Sequence, residues 1–297
     1  MIPLISTLCR GPLNVGQLPR FWWKVLNHQA GLLDASYPYC SAGLDTYVLQ
    51  TLQLDRDTTI AYLRDQMPTY LEFEDWVLAQ KGGALHQPTV ERWNNCLLAR
   101  THIDPAKIDE TYDDIGYSRD ITIGSAVVLN CLQDWTLFHR HDLTGQSSPK
   151  SVPPLLSSTD QGPLGICQLP RTWLKTSLRA RDLLHEDYPD CADGSLDQRC
   201  MRALGIDQEQ TLTYLRDNLP TYLEFEDWVR QQAGPIDQEA VAEFNCTLLE
   251  RQHIPAKLAD IHATLDRPNN GTWTGGVLLN HLEDWQYAHN WLMQQSN

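Results

Sequence analysis

Carboxylates, a histidine and a set of cations recur in this chain at spacings able to support chemistry. Glu226, Asp284 and His289 are suited to proton transfer, with Glu226 or Asp284 as the base and His289 beside it. Cys191 follows a Tyr188-Pro turn and is the best candidate nucleophile, because loops carry reactive groups more often than cores do. Arg199 is suited to hold an anionic group, while Arg171, Lys175, Tyr188, Asp197 and Asn280 would line the same ligand. A structural reading stands beside each. Asn280 and Asp284 lie four residues apart on one helix face, which also suits polar packing. Buried cysteine is commonly inert. Arg20 and Arg171, each after a Leu-Pro step, suit ion pairs with Glu74 or Glu226. Glu72 and Asp75 sit where a helix begins, a place that favours acids through the helix dipole. His281 and Asp284 have metal-ligand spacing, but Cys131 stands at the position matching His281. No metal site is assigned, and that pair is left open.

These residues are carried on a sequence written twice. Tyr62 to Val77 returns as Tyr214 to Val229 with only Gln66-Met67 changed to Asn218-Leu219. Gln17-Leu-Pro-Arg20 matches Gln168-Leu-Pro-Arg171, and Asn130, Asp134 and His139 match Asn280, Asp284 and His289. Cysteines align as Cys40 with Cys191 and Cys96 with Cys246. The expected organisation is a first repeat over 1–144, a Pro/Ser linker over 145–160 and a second repeat over 161–297, related by an approximate pseudo-two-fold. Local patterns are helical. Thr69-Tyr-Leu-Glu72 and Thr221-Tyr-Leu-Glu224 have the capping-box form, and Phe73, Trp76 and Val77 continue as an apolar stripe. Sustained alternation of the strand type is missing. The fold class is all-α, two helical bundles of five or six helices each.

Composition narrows the partners. Net charge is −15, and both halves are acidic, so the chain repels phosphate backbones and anionic bilayers; neither nucleic acid nor membrane is an expected partner. Ten Trp and eleven Tyr require hydrogen-bond partners for their N–H and O–H groups inside the core. Eight cysteines without a C-x-x-C pair, and a start lacking a signal-peptide pattern, point to reduced thiols in the cytoplasm. No G-x-G-x-x-G, P-loop, H-E-x-x-H or G-x-S-x-G pattern occurs, so no cofactor is expected.

The motifs together resemble the DUF5069 family, small bacterial proteins of unknown function. The second repeat carries the resemblance in Leu169-Pro-Arg-Thr-Trp-Leu-Lys175, Tyr188-Pro-Asp-Cys191, Leu196-Asp-Gln-Arg199 and Leu204-Gly-Ile-Asp207. It continues through Phe225-Glu-Asp-Trp228 and Leu278 to Trp285 before His289. The resemblance implies a helical fold and no settled activity. The family's Asp before the opening Lys is replaced by Trp23 and Leu174. Thr46-Tyr47 stand where Gln198-Arg199 do, so the first repeat is the more diverged copy. The function expected is binding of a small molecule, its anionic group held by Arg, in a polar pocket of the second repeat, with or without catalysis. The alternative is a protein-interaction or self-association module. Either a monomer with an internal pseudo-dimer or a homodimer is compatible with the duplication.

Overall fold

The computed structural model describes residues 1–117, 123–145 and 151–295. Among the described residues the chain is all-helical, with fourteen α-helices and no sheet; two isolated β-bridges are the only extended pairings. The first half contributes α1 (Leu18–Gln29), α2 (Leu44–Thr51), α3 (Arg56–Gln66), α4 (Tyr70–Gln80), α5 (Gln87–Leu98), α6 (Pro105–Ile115) and α7 (Ala126–Phe138). A π-helical turn, His139–Leu143, extends α7. The second half contributes α8 (Leu169–Ala180), α9 (Leu196–Ala203), α10 (Gln208–Asn218), α11 (Tyr222–Ala233), α12 (Gln238–Leu249), α13 (Pro255–Thr264) and α14 (Gly276–Gln295). No helix among the described residues is long and apolar enough to cross a membrane.

Local chemistry explains the helix boundaries. Asp55 and Asp207 cap α3 and α10 by accepting from the amides of Thr58 and Gln210 at 2.8 and 2.9 Å. Both helices stop at a residue forced into the left-handed region, Met67 and Leu219, each with φ of 45°. A proline follows, which cannot extend a helix. The next residue opens a reciprocal capping box. Glu72 and Glu224 each accept from the cap threonine's amide at 2.8 Å, and Thr69 and Thr221 accept from the third-residue amides in return. Such caps contribute on the order of 1 kcal/mol each.

The compact units do not follow the sequence repeats. One unit comprises Met1–Arg100 with His253–Thr274 and Leu278–Asn297; the other comprises Thr101–Gln252 with Gly275–Val277. The first unit therefore takes α1 to α5 from the first half of the chain and α13 with most of α14 from the second. The second unit takes α6 and α7 from the first half and α8 to α12 from the second. Apolar periodicity tells which face of α7 or α14 is buried, but not against which partner. Each unit thus has seven helices or the greater part of them, rather than five or six.

Aromatic contacts fasten these borrowed helices. In the first unit Trp285 of α14 meets Tyr70 of α4 edge-on with ring centres 4.6 Å apart. In the second unit Trp135 of α7 meets Tyr222 of α11 in the same manner at 4.7 Å. All four rings are essentially buried. The expected linker also differs in its second part. Residues 146–150 lie outside the described residues, but Val152, Leu155 and Leu156 are buried, and Val152 donates to Leu183 O at 2.7 Å. Proline density reads as a linker in sequence, yet here it shapes an extended segment of the second unit's core.

Candidate functional site

Helix α1 starts from Gln17, held in the left-handed region with φ of 70°, and this directs the glutamine side chain inward. Its Nε2 donates to Asp45 Oδ1 at 2.8 Å, while Lys24, two turns along α1, reaches Asp45 Oδ2 at 2.5 Å. The Ser41 amide donates to the same oxygen at 2.7 Å. Burial alone would raise the Asp45 pKa; the Lys24 charge and these hydrogen bonds outweigh it and hold the carboxyl below its ordinary value. The second unit builds the same arrangement. Gln168 and Thr172 each donate to Asp197 Oδ1 at 2.7 Å, and Lys175 pairs with Asp197 Oδ2 at 2.5 Å. Lys175 also donates to Pro189 O at 3.1 Å. Both Lys–Asp pairs are buried, and their charges are consumed within the pair rather than presented to a ligand.

Arg171 grips extended backbone. Its Nη1 donates to the backbone carbonyls of Pro154 and Leu156 at 2.6 and 2.7 Å, and its guanidinium lies 5.8 Å from the Tyr188 ring centre. Arg20 likewise donates to Pro3 O and Ile5 O. These guanidiniums satisfy extended backbone that has no ladder partner. Cys191 is half-buried near this cluster, 3.8 Å from Ser195 Oγ. Burial pushes its thiol pKa up, the direction opposite to nucleophile activation.

Glu226 and its counterpart Glu74 are buried on α11 and α4. Tyr70 Oη donates to Glu74 Oε1 at 2.7 Å, and the Leu13 amide donates to Oε2 at 3.1 Å. Tyr222 Oη donates to Glu226 Oε1 at 2.6 Å, with the Leu164 amide 3.2 Å from Oε2. The chain comes so close here that a Cβ at Gly11 or Gly162 would collide with the tyrosine ring and the carboxyl. The environments then diverge. Arg230 Nη2 lies 3.1 Å from Glu226 Oε2, and its Nη1 lies 2.8 Å from Asp227 Oδ1. In the first unit Leu78 occupies the position of Arg230 along the repeated stretch. Burial raises Glu226 to about 7 against the Arg230 charge, and raises Glu74 to about 8.

The remaining sequence candidates belong to α14 and so to the first unit. Asn280 Oδ1 is 2.8 Å from His253 Nε2, and the matching Asn130 is 3.0 Å from His102. His102 and His253 escaped the sequence reading, although each opens a repeated His-Ile step. Asp284 is buried. His289 Nε2 lies 2.8 Å from Met67 O, and its ring stacks on Trp22 with centres 6.5 Å apart. A carbonyl only accepts, so Nε2 carries the proton. Asn280, Asp284 and His289 are thus in a different compact unit from Glu226, Cys191 and Arg199. The expected proton-transfer set is not gathered within one unit. His281 stacks on Trp285, and no group of three His, Cys, Asp or Glu able to hold a metal occurs among the described residues.

Arg199 stands apart. With Arg202 on α9 and Ala240, Glu243, Phe244 and Thr247 on α12 it lines a pocket of about 260 Å³ in the second unit. Neither the Arg199 nor the Arg202 guanidinium makes a hydrogen bond or ion pair among the described residues. Arg251 is near enough that, after burial, the Arg199 charge helps to lower its pKa. One register is also corrected. Asn94 bridges Gly16 N and Asn14 O, and Asn245 bridges Cys167 N and Gly165 O in the same manner. That equivalence places Thr247, not Cys246, opposite Cys96. Comparison with models of known families, with curated proteins and with solved structures returns no match.

Proposed function

We propose that this chain binds a small anionic molecule in the second unit, between α9 and α12. The observation that carries this reading is the pair Arg199 and Arg202 on one pocket wall, neither in an ion pair and with Glu243 the one acid in the lining, in a protein of net charge −15. Two guanidiniums kept together without an ion pair gain little stability from doing so, whereas phosphate or carboxylate would be held bidentately. Phe244 gives the pocket an apolar side, and Glu243 favours a ligand with a hydrogen-bond donor beside its anionic group. Tyr47 and Gln50 replace the two arginines in the first half of the chain, so the site belongs to the second copy alone. The reading includes a tandem duplication of a DUF5069-like unit in a cytoplasmic protein, supported by the recurrence of the same motifs in both halves. Binding without catalysis fits best, because neither Glu226, Asp284 nor His289 is in the lining of the Arg199 pocket.

Titration calorimetry with inorganic phosphate and with citrate tests it. Binding in the millimolar range or tighter is expected, weakened at least ten-fold by Arg199→Ala with Arg202→Ala. Absence of binding to both anions, or binding indifferent to that double substitution, overturns the reading.

One observation favours the interaction-module alternative. Leu98 and Ile103 are exposed, 56% and 89%, and Leu249 and Ile254 at the matching positions are exposed, 60% and 70%. Apolar exposure recurring at the same sequence positions suits a protein contact. Light scattering after chromatography separates the two: a concentration-dependent mass abolished by Leu249→Ser and Ile254→Ser supports self-association, and a constant monomer mass removes it.

A further inference from the structure

The two buried glutamates differ in what lies beside them: Arg230 pairs with Glu226, and a cavity adjoins Glu74. In the second unit Arg230 straddles two acids, Glu226 Oε2 at 3.1 Å and Asp227 Oδ1 at 2.8 Å, one turn back along its own helix. In the first unit the same two acids recur as Glu74 and Asp75, but position 78 is leucine. A cavity of about 160 Å³ opens there, lined by Pro12, Leu13, Glu74, Asp75, Arg267 and Trp273 among others. That is room for several waters, and so for a planar group of four heavy atoms.

The first unit does not replace the missing cation at Glu74. Arg267 enters from the segment after α13, but its Nη2 is engaged by Asp75 Oδ2 at 2.6 Å. Glu74 accepts one hydrogen bond from Tyr70 and one from the Leu13 amide. An ionised carboxylate offers about four lone-pair sites, so acceptor capacity remains toward the cavity. The indole of Trp273 lines the same space, and an indole near a cation adds to its attraction.

We propose that this cavity in the first unit binds the guanidinium group of a small ligand, which pairs with Glu74 as the Arg230 side chain pairs with Glu226. The site is independent of the anion pocket between α9 and α12.

Binding is coupled to a proton. Glu74 holds its proton up to about pH 8, because burial opposes its charge and the neighbouring Asp75 adds to the effect. The groups facing it are Tyr70 and Asp75 on α4, the Leu13 amide from the N-terminal segment, and Arg267 with Trp273 after α13. A cationic ligand requires the ionised form, so association at pH 7 expels a proton and strengthens as pH rises.

Methylguanidinium titrated into the full chain at pH 7 and pH 9 tests this. One site is expected, about ten-fold tighter at pH 9, as a carboxyl titrating near pH 8 requires. Leu78→Arg, which supplies the guanidinium from within, should abolish binding while leaving the melting temperature unchanged or raised. Glu74→Gln should abolish both the binding and its pH dependence. Arg230→Leu should add a second site. No binding at either pH, or binding that survives both Leu78→Arg and Glu74→Gln, overturns the proposal. Should Leu78→Arg fail to fold, Glu74→Gln alone decides it.

Discussion

His289 donates from Nε2 to the carbonyl of Met67 at 2.8 Å, across 222 residues of sequence. The bond joins α14 to the turn between α3 and α4. Met67 is in the left-handed region there, so its carbonyl has no place in a helix ladder. The neighbouring Pro68 carbonyl is satisfied by Trp22 Nε1 at 2.9 Å. His139 and Trp173 treat Leu219 and Pro220 in the same way within the second unit.

Replacing His289 with alanine should therefore strand a partly buried carbonyl and loosen α14. A loss of about 1–3 kcal/mol is expected in urea unfolding. Amide exchange should accelerate in α14 ahead of α1. His289→Gln, whose amide can also donate, should recover part of the loss. An unchanged midpoint for the alanine variant would show the bond to be dispensable.

Expressing residues 151–297 alone separates α8 to α12 from α6 and α7, with which they share a unit. The buried faces around Tyr222 would then lack Trp135. The fragment is expected to form a dimer in which each copy's α13 and α14 cover the other, with a mass twice that of the fragment by light scattering. A stable, cooperatively folded monomer would contradict this.

Glu74 gives a stability effect of definite sign. Its folded carboxyl keeps the proton to about pH 8, while the unfolded one loses it near the ordinary 4.5. Folding therefore takes up a proton between these values, and the Glu74 contribution to stability falls as pH rises from about 5 to 8. Urea unfolding of wild type and Glu74→Gln at several pH values isolates the effect. The balance should shift toward the glutamine variant by about 1 kcal/mol or more across that window. Glu226→Gln should show a smaller shift, ending nearer pH 7.

Asp45→Asn should be the more damaging change in the first unit. It leaves the Lys24 ammonium buried without its counter-charge. A loss of about 3–5 kcal/mol is expected, read as a lower urea midpoint at neutral pH. Retention of wild-type stability would mean that Lys24 is neutral in the folded protein.

The helical class and both capping boxes were legible because they depend on residues three or four apart. So was the need to partner buried aromatic donors, which Trp22 and Trp173 meet through Pro68 and Pro220. The exchange of α7 and α14 was not legible, since an apolar stripe on Trp135 or Trp285 is indifferent to which unit supplies the opposing tyrosine. The same limit explains why Asn280, Asp284 and His289 read as companions of Glu226. The hold of Arg171 on the Pro154 and Leu156 carbonyls was not legible, because a bond to backbone leaves no pattern in side-chain types. Arg199 was visible for a simpler reason, as a charge present in one copy and missing from the other.

The crossing of the chain at Arg100 and again at Gln252 inverts the order of assembly relative to synthesis. Everything in the second unit except Gly275–Val277 has been made by residue 252, so that unit nearly completes while the chain is still growing. The first unit, begun by Met1–Arg100, must wait for Leu278–Asn297 before Trp285 can close over Tyr70. Met1–Arg100 therefore stays unsealed while the later Thr101–Gln252 segment is already made. A ribosome that stops between Val277 and Trp285 would release a chain with one nearly complete unit and one open core.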